Sequence, residues 1–543
     1  MNKKIVGASI GNCVHVAGVI HFLQIAESEG YSTKFLGPAV NINKLLDYVE
    51  KEKPDIVGIS YRLTKENVIP LLDILDKKRK ELDYDPIWVF GGTKPVADIA
   101  HEYDIFSYVS DGYDDVNDLI KFLRGKDEVF EDSNFSNSII DRINYSYPYP
   151  LLRHHFGLPN LEDTINGVET IAKSKILDVI SLGTDQNTQQ YFFNQSNMKS
   201  EFNGAGGVPI RTAKDFRKIK AASLVGNYPL MRCYSGTADV IKYAEMLVDT
   251  IDNAWTAVPL FWYNELDGRG SRSIESSIKD AQELIKWHAK RDVPVEINDP
   301  HHWGLRDSHD VIPIVVSYIA AYNAKKLGVK NYISQYMFNN HTGMSMMMDL
   351  AKISAMVDIV ESLEDDDFKV YKEARAGLSL LSPDLDIAKG QLVASTFLQM
   401  EIKPHIIHVV GYCEADHAAS ADDIIESCKI VKGVIKQTLQ ESFSIIDNLE
   451  IQRRKKELLN EAKILIDFIY QEYKDYDDPL INSFVLADIV KKGYLDAPHI
   501  LKEGKFKGDL RTTIVNGKCI AVDEDNEPIN EITRIRKLKE KNK

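Results

Sequence analysis

Over the first 125 positions, short apolar runs alternate with stretches whose apolar residues recur at helical spacing. Ile5-Val6-Gly7-Ala8-Ser9 reads as a buried strand, and the spacing from Val16 to Glu29 predicts an amphipathic helix closed by Gly30. A short strand at Thr33–Leu36 and a helix around Asn43–Glu50 follow. Asp55–Ser60 reads as the next strand, then a helix through Leu71–Glu81. Ile87-Trp88-Val89-Phe90 runs into Gly91-Gly92, a weaker strand lies near Ile105–Val109, and a last helix covers Val116–Leu123. Buried strands separated by amphipathic helices predict a parallel, doubly wound α/β sheet, flavodoxin-like or Rossmann-like, with its ligand site beyond the carboxyl ends of the strands. Three turns fall there: the one around His15, Ser60–Thr64, and Gly91–Pro95.

From Gly125 to about Tyr149 the chain turns acidic, then Ser/Asn-rich and Tyr/Pro-rich, which reads as a linker. Strand-like runs then recur between longer helical stretches. They are Asp178–Ser181, Pro229–Met231, Ala257–Trp262, Val295–Ile297, Tyr332-Ile333 and Ile406–Val410. That rhythm, sustained over roughly 250–300 residues, is the one expected of a (β/α)8 TIM barrel. The stretch from about Asp447 reads as a charged helix and a small β-rich tail, with a hairpin signal at Val515-Asn516-Gly517-Lys518. The expected organisation is 1–125, a linker at 126–149, a barrel at 150–445 and a C-terminal α+β tail at 446–543.

Composition narrows the function classes. A formal charge of −15 argues against a nucleic-acid partner. The five cysteines, Cys13, Cys233, Cys413, Cys428 and Cys519, form no CxxC pair, which fits a reducing cytoplasm without structural zinc or disulfides. No apolar run reaches the ~20 residues needed to span a bilayer, and no signal peptide is read at the start. The expectation is a cytoplasmic protein with a small-molecule substrate and no membrane partner; a homodimer is compatible with it.

His15 stands three residues before Gly18 at a strand-to-helix turn, a geometry suited to offering an imidazole to a metal while glycine leaves room for a large cofactor. Taken alone, it is equally a helix-start histidine. With the other turns, Cys13-x-His15-x-x-Gly18, Ser60 with Leu63, and Gly91-Gly92 resemble the signature of the cobalamin-binding domain of cobalamin-dependent mutases and methyltransferases. The resemblance implies that His15 takes the lower axial position on cobalt, displacing the cofactor's benzimidazole. The displaced tail then threads past Gly18, Ser60, Leu63, Gly91 and Gly92. Cys13 stands where the family has an aspartate that receives the imidazole's second N–H.

The later segments Gly236–Asp239, Trp262-Tyr263-Asn264, Glu296-Ile297-Asn298, Leu327–Asn331, Gly343–Asp349, Glu414-Ala415 and Pro528–Glu531 resemble the barrel (epsilon) subunit of glutamate mutase, also called methylaspartate mutase. This implies an isomerase that uses adenosylcobalamin and an adenosyl radical. The alternatives are a corrinoid-dependent methyltransferase and a non-catalytic cobalamin-binding protein. Pyridoxal phosphate on Lys94 is a weaker rival, since no phosphate-binding glycine loop accompanies it.

Under the same resemblance Glu414 falls where the family binds the adenosyl ribose, Tyr263 matches a substrate-contacting tyrosine, and Arg232 lies near a substrate arginine. The other arginines that clamp glutamate in the family are replaced by Gly183–Gln190. Asp185, Gln186, Asn187 and Gln190 suit a polar neutral or cationic substrate better than a dicarboxylate. Arg269 and Arg272 remain candidates for one carboxylate. His301 is expected to face the pocket, and His154-His155 to precede the first barrel strand.

Overall fold

Hydrophobic runs of four to six residues cannot sit half-solvated, and in the computed structural model they pair side by side. Residues 3–29, 31–112, 118–119, 122–123, 135–440, 444–500, 506 and 508–542 are described. The expected helix stop at Gly30, half of the expected 116–123 helix and the 125–134 part of the expected linker lie outside them. The chain divides into two units, Met1–Asn134 and Phe135–Lys543.

In the first unit, β1 (Lys4–Ser9), β2 (Ser32–Phe35), β3 (Ile56–Tyr61), β4 (Ile87–Gly92) and β5 (Phe106–Ser110) are all parallel, in the order β2-β1-β3-β4-β5. One face buries Val6, Ala8, Val57 and Ile59; the other buries Ile5, Ile56 and Val89 against Phe22 and Leu23. Alternation along each strand sends successive side chains to opposite faces, so helices cover both. Gly58 makes the second face possible: a Cβ there would stand 2.4 Å from the Phe22 ring. The strand order reverses between β1 and β3, which opens a crevice at their carboxyl ends.

In the second unit, eight parallel strands form one sheet: β6 (Leu151–Phe156), β7 (Val179–Leu182), β8 (Leu230–Cys233), β9 (Thr256-Ala257), β10 (Val295-Glu296), β11 (Asn331–Phe338), β12 (Lys369–Ala376) and β13 (Ile406–His408). They run β8-β7-β6-β13-β12-β11-β10-β9, and a Tyr234–Ala257 bridge joins the two ends into a near-closed barrel. Period-two alternation sorts each strand into outward and inward residues. Ile180, Met231, Tyr336, Ala374 and Ile407 pack outward under the helices. Leu151, Val179, Leu230, Trp255, Ile333 and Ile406 fill the floor of the lumen, sealed by Ile139 and Ile143 of the helix Ile139–Ser146. That helix lies within the stretch that reads as linker.

Two strands escape the hydrophobic pattern. β6 and β12 carry Arg153, His155, Glu373 and Arg375 at inward positions, so they look like polar segments in sequence. His154 and His155 therefore lie in the first barrel strand and not before it. Conversely, Ala257–Trp262 does not continue as a strand. The amides of Leu260 and Phe261 turn away to the Asp299 carboxylate, each at 2.6 Å.

The helix Leu449–Glu472 buries Ile451, Leu458, Leu465 and Ile469 in the same core as the barrel's outer face. The expected hairpin forms between β14 (Arg511–Val515) and β15 (Lys518–Val522), with Asn516 and Gly517 both at positive φ. Among the described residues, no helix is long and apolar enough to cross a membrane.

Candidate functional site

The turn after β1 is held from below. Ser9 Oγ donates to the Cys13 carbonyl at 2.9 Å, the Ile10 amide to Ser60 O at 3.1 Å, and Tyr61 Oη to Asn12 Oδ1 at 2.8 Å. Cys13 is buried, while His15 and Gly18 are exposed on the rim. The Cys13 thiol lies 3.8 Å from His15 Nδ1. If Nδ1–H points at the sulfur, the Nε2 lone pair faces outward, the tautomer a metal takes.

The surroundings fit a bulky, partly apolar ligand. Ser60 Oγ is buried and without a hydrogen-bond partner among the described residues, an orphan that native structures rarely leave. A Cβ built on Gly18 or on Gly91 would meet nothing within 4 Å, so both glycines border open space. Gly92 is different: its Cβ would come within 2.8 Å of Tyr61 O, so that glycine serves strand packing. Leu63 is partly exposed on the loop after β3. His15, Ser60, Leu63 and Gly91 are thus all offered at the strand ends, where an exposed imidazole, a free hydroxyl and open space beside glycines would suit a cobalamin. Lys94 opens the helix Lys94–Ala100 and is exposed beside Asp98 at 3.5 Å.

In the second unit, a cleft of about 850 Å³ opens over the carboxyl ends of β7, β8 and β9. Gln186, Gln190, Tyr263 and Arg269 line it. Tyr263 adopts φ of +65°, and Arg269 lies 4.6 Å over its ring. Burial, then Tyr234 nearby, raises the Tyr263 phenol above its ordinary range, so it stays protonated. Arg269 pairs with Asp267 at 3.3 Å and Arg272 with Asp280 at 2.7 Å.

Asp185 and Asn187 face inward instead. Asp185 caps the helix Gln186–Tyr191 and receives Arg211, Thr188 and the Gly204 amide, which together outweigh burial and lower its carboxyl. Asn187 bonds Lys199 O and Asn203 Oδ1. Both set the shape of the loop and present no free polar atom to the cleft.

Beneath the cleft lies a charged layer that the sequence pattern does not announce. Arg153 bonds Glu373 at 2.7 and 2.9 Å and Ser181 at 2.6 Å. Arg232 bonds Glu296 at 2.5 Å and lies against Trp255, whose indole also donates to Glu296 at 2.7 Å. Gln335 donates to both carboxylates, at 3.0 and 2.9 Å. Arg232 is therefore fully buried and neutralised.

The next inward positions rise above that layer. His155 stacks on Tyr234 at 5.5 Å and meets His408 edge-on at 4.7 Å, and Tyr234 Oη lies 3.4 Å from His155 Nε2. His301 lies tilted against His302, ring centres 4.2 Å apart, and its Nδ1 is buried without a partner among the described residues. Burial first, and then neighbouring cationic groups, push His155, His301, His302 and His408 well below the usual range, so these imidazoles are neutral. Glu414 accepts the Gly411 amide at 2.8 Å and lies 3.2 Å from His154 Nε2. Burial alone would raise that carboxyl; His154 and the Gly411 amide lower it.

Residues 3–116 match the family model of the B12 binding domain. The first unit thus carries a cobalamin-binding domain of Rossmann-like architecture, the class its sheet order and turns define. No curated protein matches the chain. Among solved structures, a cobalamin-binding protein from Desulfitobacterium hafniense DCB-2 is similar at 23% identity over 23% of this chain and 58% of that one, TM-score 0.20. The cobalamin-dependent S-adenosylmethionine radical enzyme OxsB with aqua-cobalamin bound is similar at 11% identity, over 80% of this chain and 56% of that one, TM-score 0.19. The chain therefore spans a little over half the length of these two proteins. At such scores neither likeness bears on its chemistry.

Proposed function

We propose that this protein is an adenosylcobalamin-dependent radical mutase, an isomerase resembling glutamate mutase, acting on a small polar substrate other than glutamate. The observation that carries the reading is the pairing in one chain of a cobalamin-binding domain with a barrel whose carboxyl face opens in a cleft lined by a protonated tyrosine, Tyr263, and the amides Gln186 and Gln190. Bound adenosylcobalamin supplies carbon-radical chemistry for hydrogen abstraction. His15 would hold it from below, with Ser60, Leu63 and the glycine turns around its tail.

In the barrel, the chain's own residues bind, orient and exclude water. The neutral rings of Tyr263, Tyr234, His155 and His301 offer no group poised for strong proton transfer, which suits radical chemistry. Glu414 is offered for a diol such as a ribose. The dicarboxylate clamp is missing because Arg153 and Arg232 are already satisfied by Glu373 and Glu296. The protein is expected to act in the cytoplasm, alone or as a homodimer.

Titrating the full chain with adenosylcobalamin is expected to give a base-off, His-on spectrum that His15→Ala abolishes. An unchanged His-on spectrum in that variant overturns the axial role of His15. Substrate-dependent organic-radical signals in EPR would support the mutase. Methyl transfer from methylcobalamin without adenosyl dependence would replace it with a corrinoid methyltransferase, and cofactor uptake with neither activity with a carrier.

A further inference from the structure

Three arginines point into the barrel lumen, and two of them are spoken for. Arg153 and Arg232 each hold a glutamate within 2.7 Å, so the middle layer is close to neutral. The third, Arg375, stands two residues beyond Glu373 on β12 and therefore faces the lumen one layer higher. Its register partner on β13 is His408, and His408 is paired with Arg153 of β6. Arg375 is therefore on the wall beside the His155, His408 and Tyr234 rings, not under the helices.

Arg375 donates from Nε to the Ala376 carbonyl at 3.3 Å. No carboxylate oxygen of a described residue lies within ion-pair distance, 4.0 Å, of its guanidinium. Glu414, whose charge it feels, is engaged with Gly411 and His154. The imidazoles around it are neutral. Arg375 is only partly buried, so its guanidinium is open to an anion that enters from the barrel mouth. Just past β7, at the next inward position after Ser181, a Cβ on Gly183 would meet nothing closer than the Phe156 carbonyl at 3.8 Å. The lumen is therefore left open on that side.

We propose that Arg375 is the inner anion subsite of the barrel, binding one carboxylate of the substrate by a two-point guanidinium contact, flanked by His155 and Tyr234. The substrate is then a small monocarboxylate whose far end is uncharged and reaches the amides Gln186 and Gln190. This rests on the reading of the barrel mouth as the substrate site, and it reverses the expectation of a neutral or cationic substrate from the Gly183–Gln190 segment. The missing charge is on a strand far along the chain. One free arginine balances one carboxylate, and a dicarboxylate would bring a second charge to a wall already neutral.

The test is calorimetric titration of the full chain, without cobalamin, with butyrate, butyramide and glutarate. Butyrate is expected to bind, butyramide to bind at least about tenfold more weakly, and glutarate to gain nothing over butyrate. Arg375→Gln should lose about tenfold or more for butyrate and become indifferent to the charge of the probe, Arg375→Lys should keep part of it, and Arg217→Gln, on the exposed face of the helix Ala213–Ser223, should leave it unchanged. Butyramide binding as well as butyrate, glutarate binding tenfold tighter, no butyrate binding, or full binding by a folded Arg375→Gln would each overturn the proposal. Should Arg375→Gln not fold, the wild-type ranking of the three probes still decides. Carboxylate selectivity in a chain that takes up no cobalamin would keep the subsite and sink the mutase reading; cobalamin uptake without selectivity would do the reverse.

Discussion

Ser60 shows how a residue can be placed for a ligand at the expense of the empty fold. Its hydroxyl is buried at a strand end with no partner among the described residues, while its backbone carbonyl accepts from the Ile10 amide and Ser9 Oγ. Ser60→Ala is therefore expected to leave stability unchanged or raise it by up to about 1 kcal/mol, and to weaken adenosylcobalamin binding about three- to tenfold. Thermal unfolding and a visible-spectrum titration read the two effects separately; a destabilised variant with unchanged affinity would contradict the assignment. Cys13 makes the complementary case. It packs in the core of the first unit, and its thiol, a weak acceptor, is the imidazole's neighbour at 3.8 Å.

At the scale of elements, the C-terminal helix Glu531–Lys541 is tied to the barrel unit by one buried ionic knot. Glu531 pairs with Arg534 through both oxygens, one contact at 2.7 Å, and with His309 at 3.2 Å, while Arg534 also donates to Tyr494 O at 2.9 Å. Burial alone would raise the Glu531 carboxyl; Arg534 and His309 bring it down to about 2. A carboxyl depressed in the folded state stabilises at pH above its ordinary value of 4.5 and loses that stabilisation as pH falls towards 2. Glu531→Gln should cost about 3 kcal/mol or more at neutral pH, and the difference from wild type should shrink below pH 4.5 in urea unfolding. A difference that stays constant with pH would mean that the charge does not hold the helix.

Across the barrel, charge is arranged by layer: an apolar floor, a neutralised ionic middle, and above it Arg375, which no carboxylate among the described residues pairs. Removing one partner of the middle layer should be worse than removing both. Glu373→Leu is expected to cost about 3–5 kcal/mol by leaving Arg153 buried and alone, and Arg153→Met in the same chain should restore most of it. Denaturation of the two single variants and the double variant closes the cycle; additive losses would show that packing and not pairing sets the cost. At this scale the sequence was only partly legible. β1, β3, β4 and β11 are apolar runs that read as strands at once. β6 and β12 are not, because a barrel lumen that carries an ionic layer breaks the hydrophobic alternation at its inward positions.

The sequence by itself determined the doubly wound sheet and the three turns at its strand ends, since strand and helix periodicity and the positions of His15, Ser60 and the glycines are local properties of the chain. It also carried the barrel rhythm. What only the tertiary structure decided is which charges remain after pairing. Arg153 meets Glu373 across 220 positions of chain and Arg232 meets Glu296 across 64, so no local pattern marks these two arginines as spent and Arg375 as free. Asp185 likewise reads as a site carboxylate until Arg211, which the fold brings to its side chain, is seen to satisfy it. Local spacing fixes where a side chain can point; long-range packing fixes what it has left to offer.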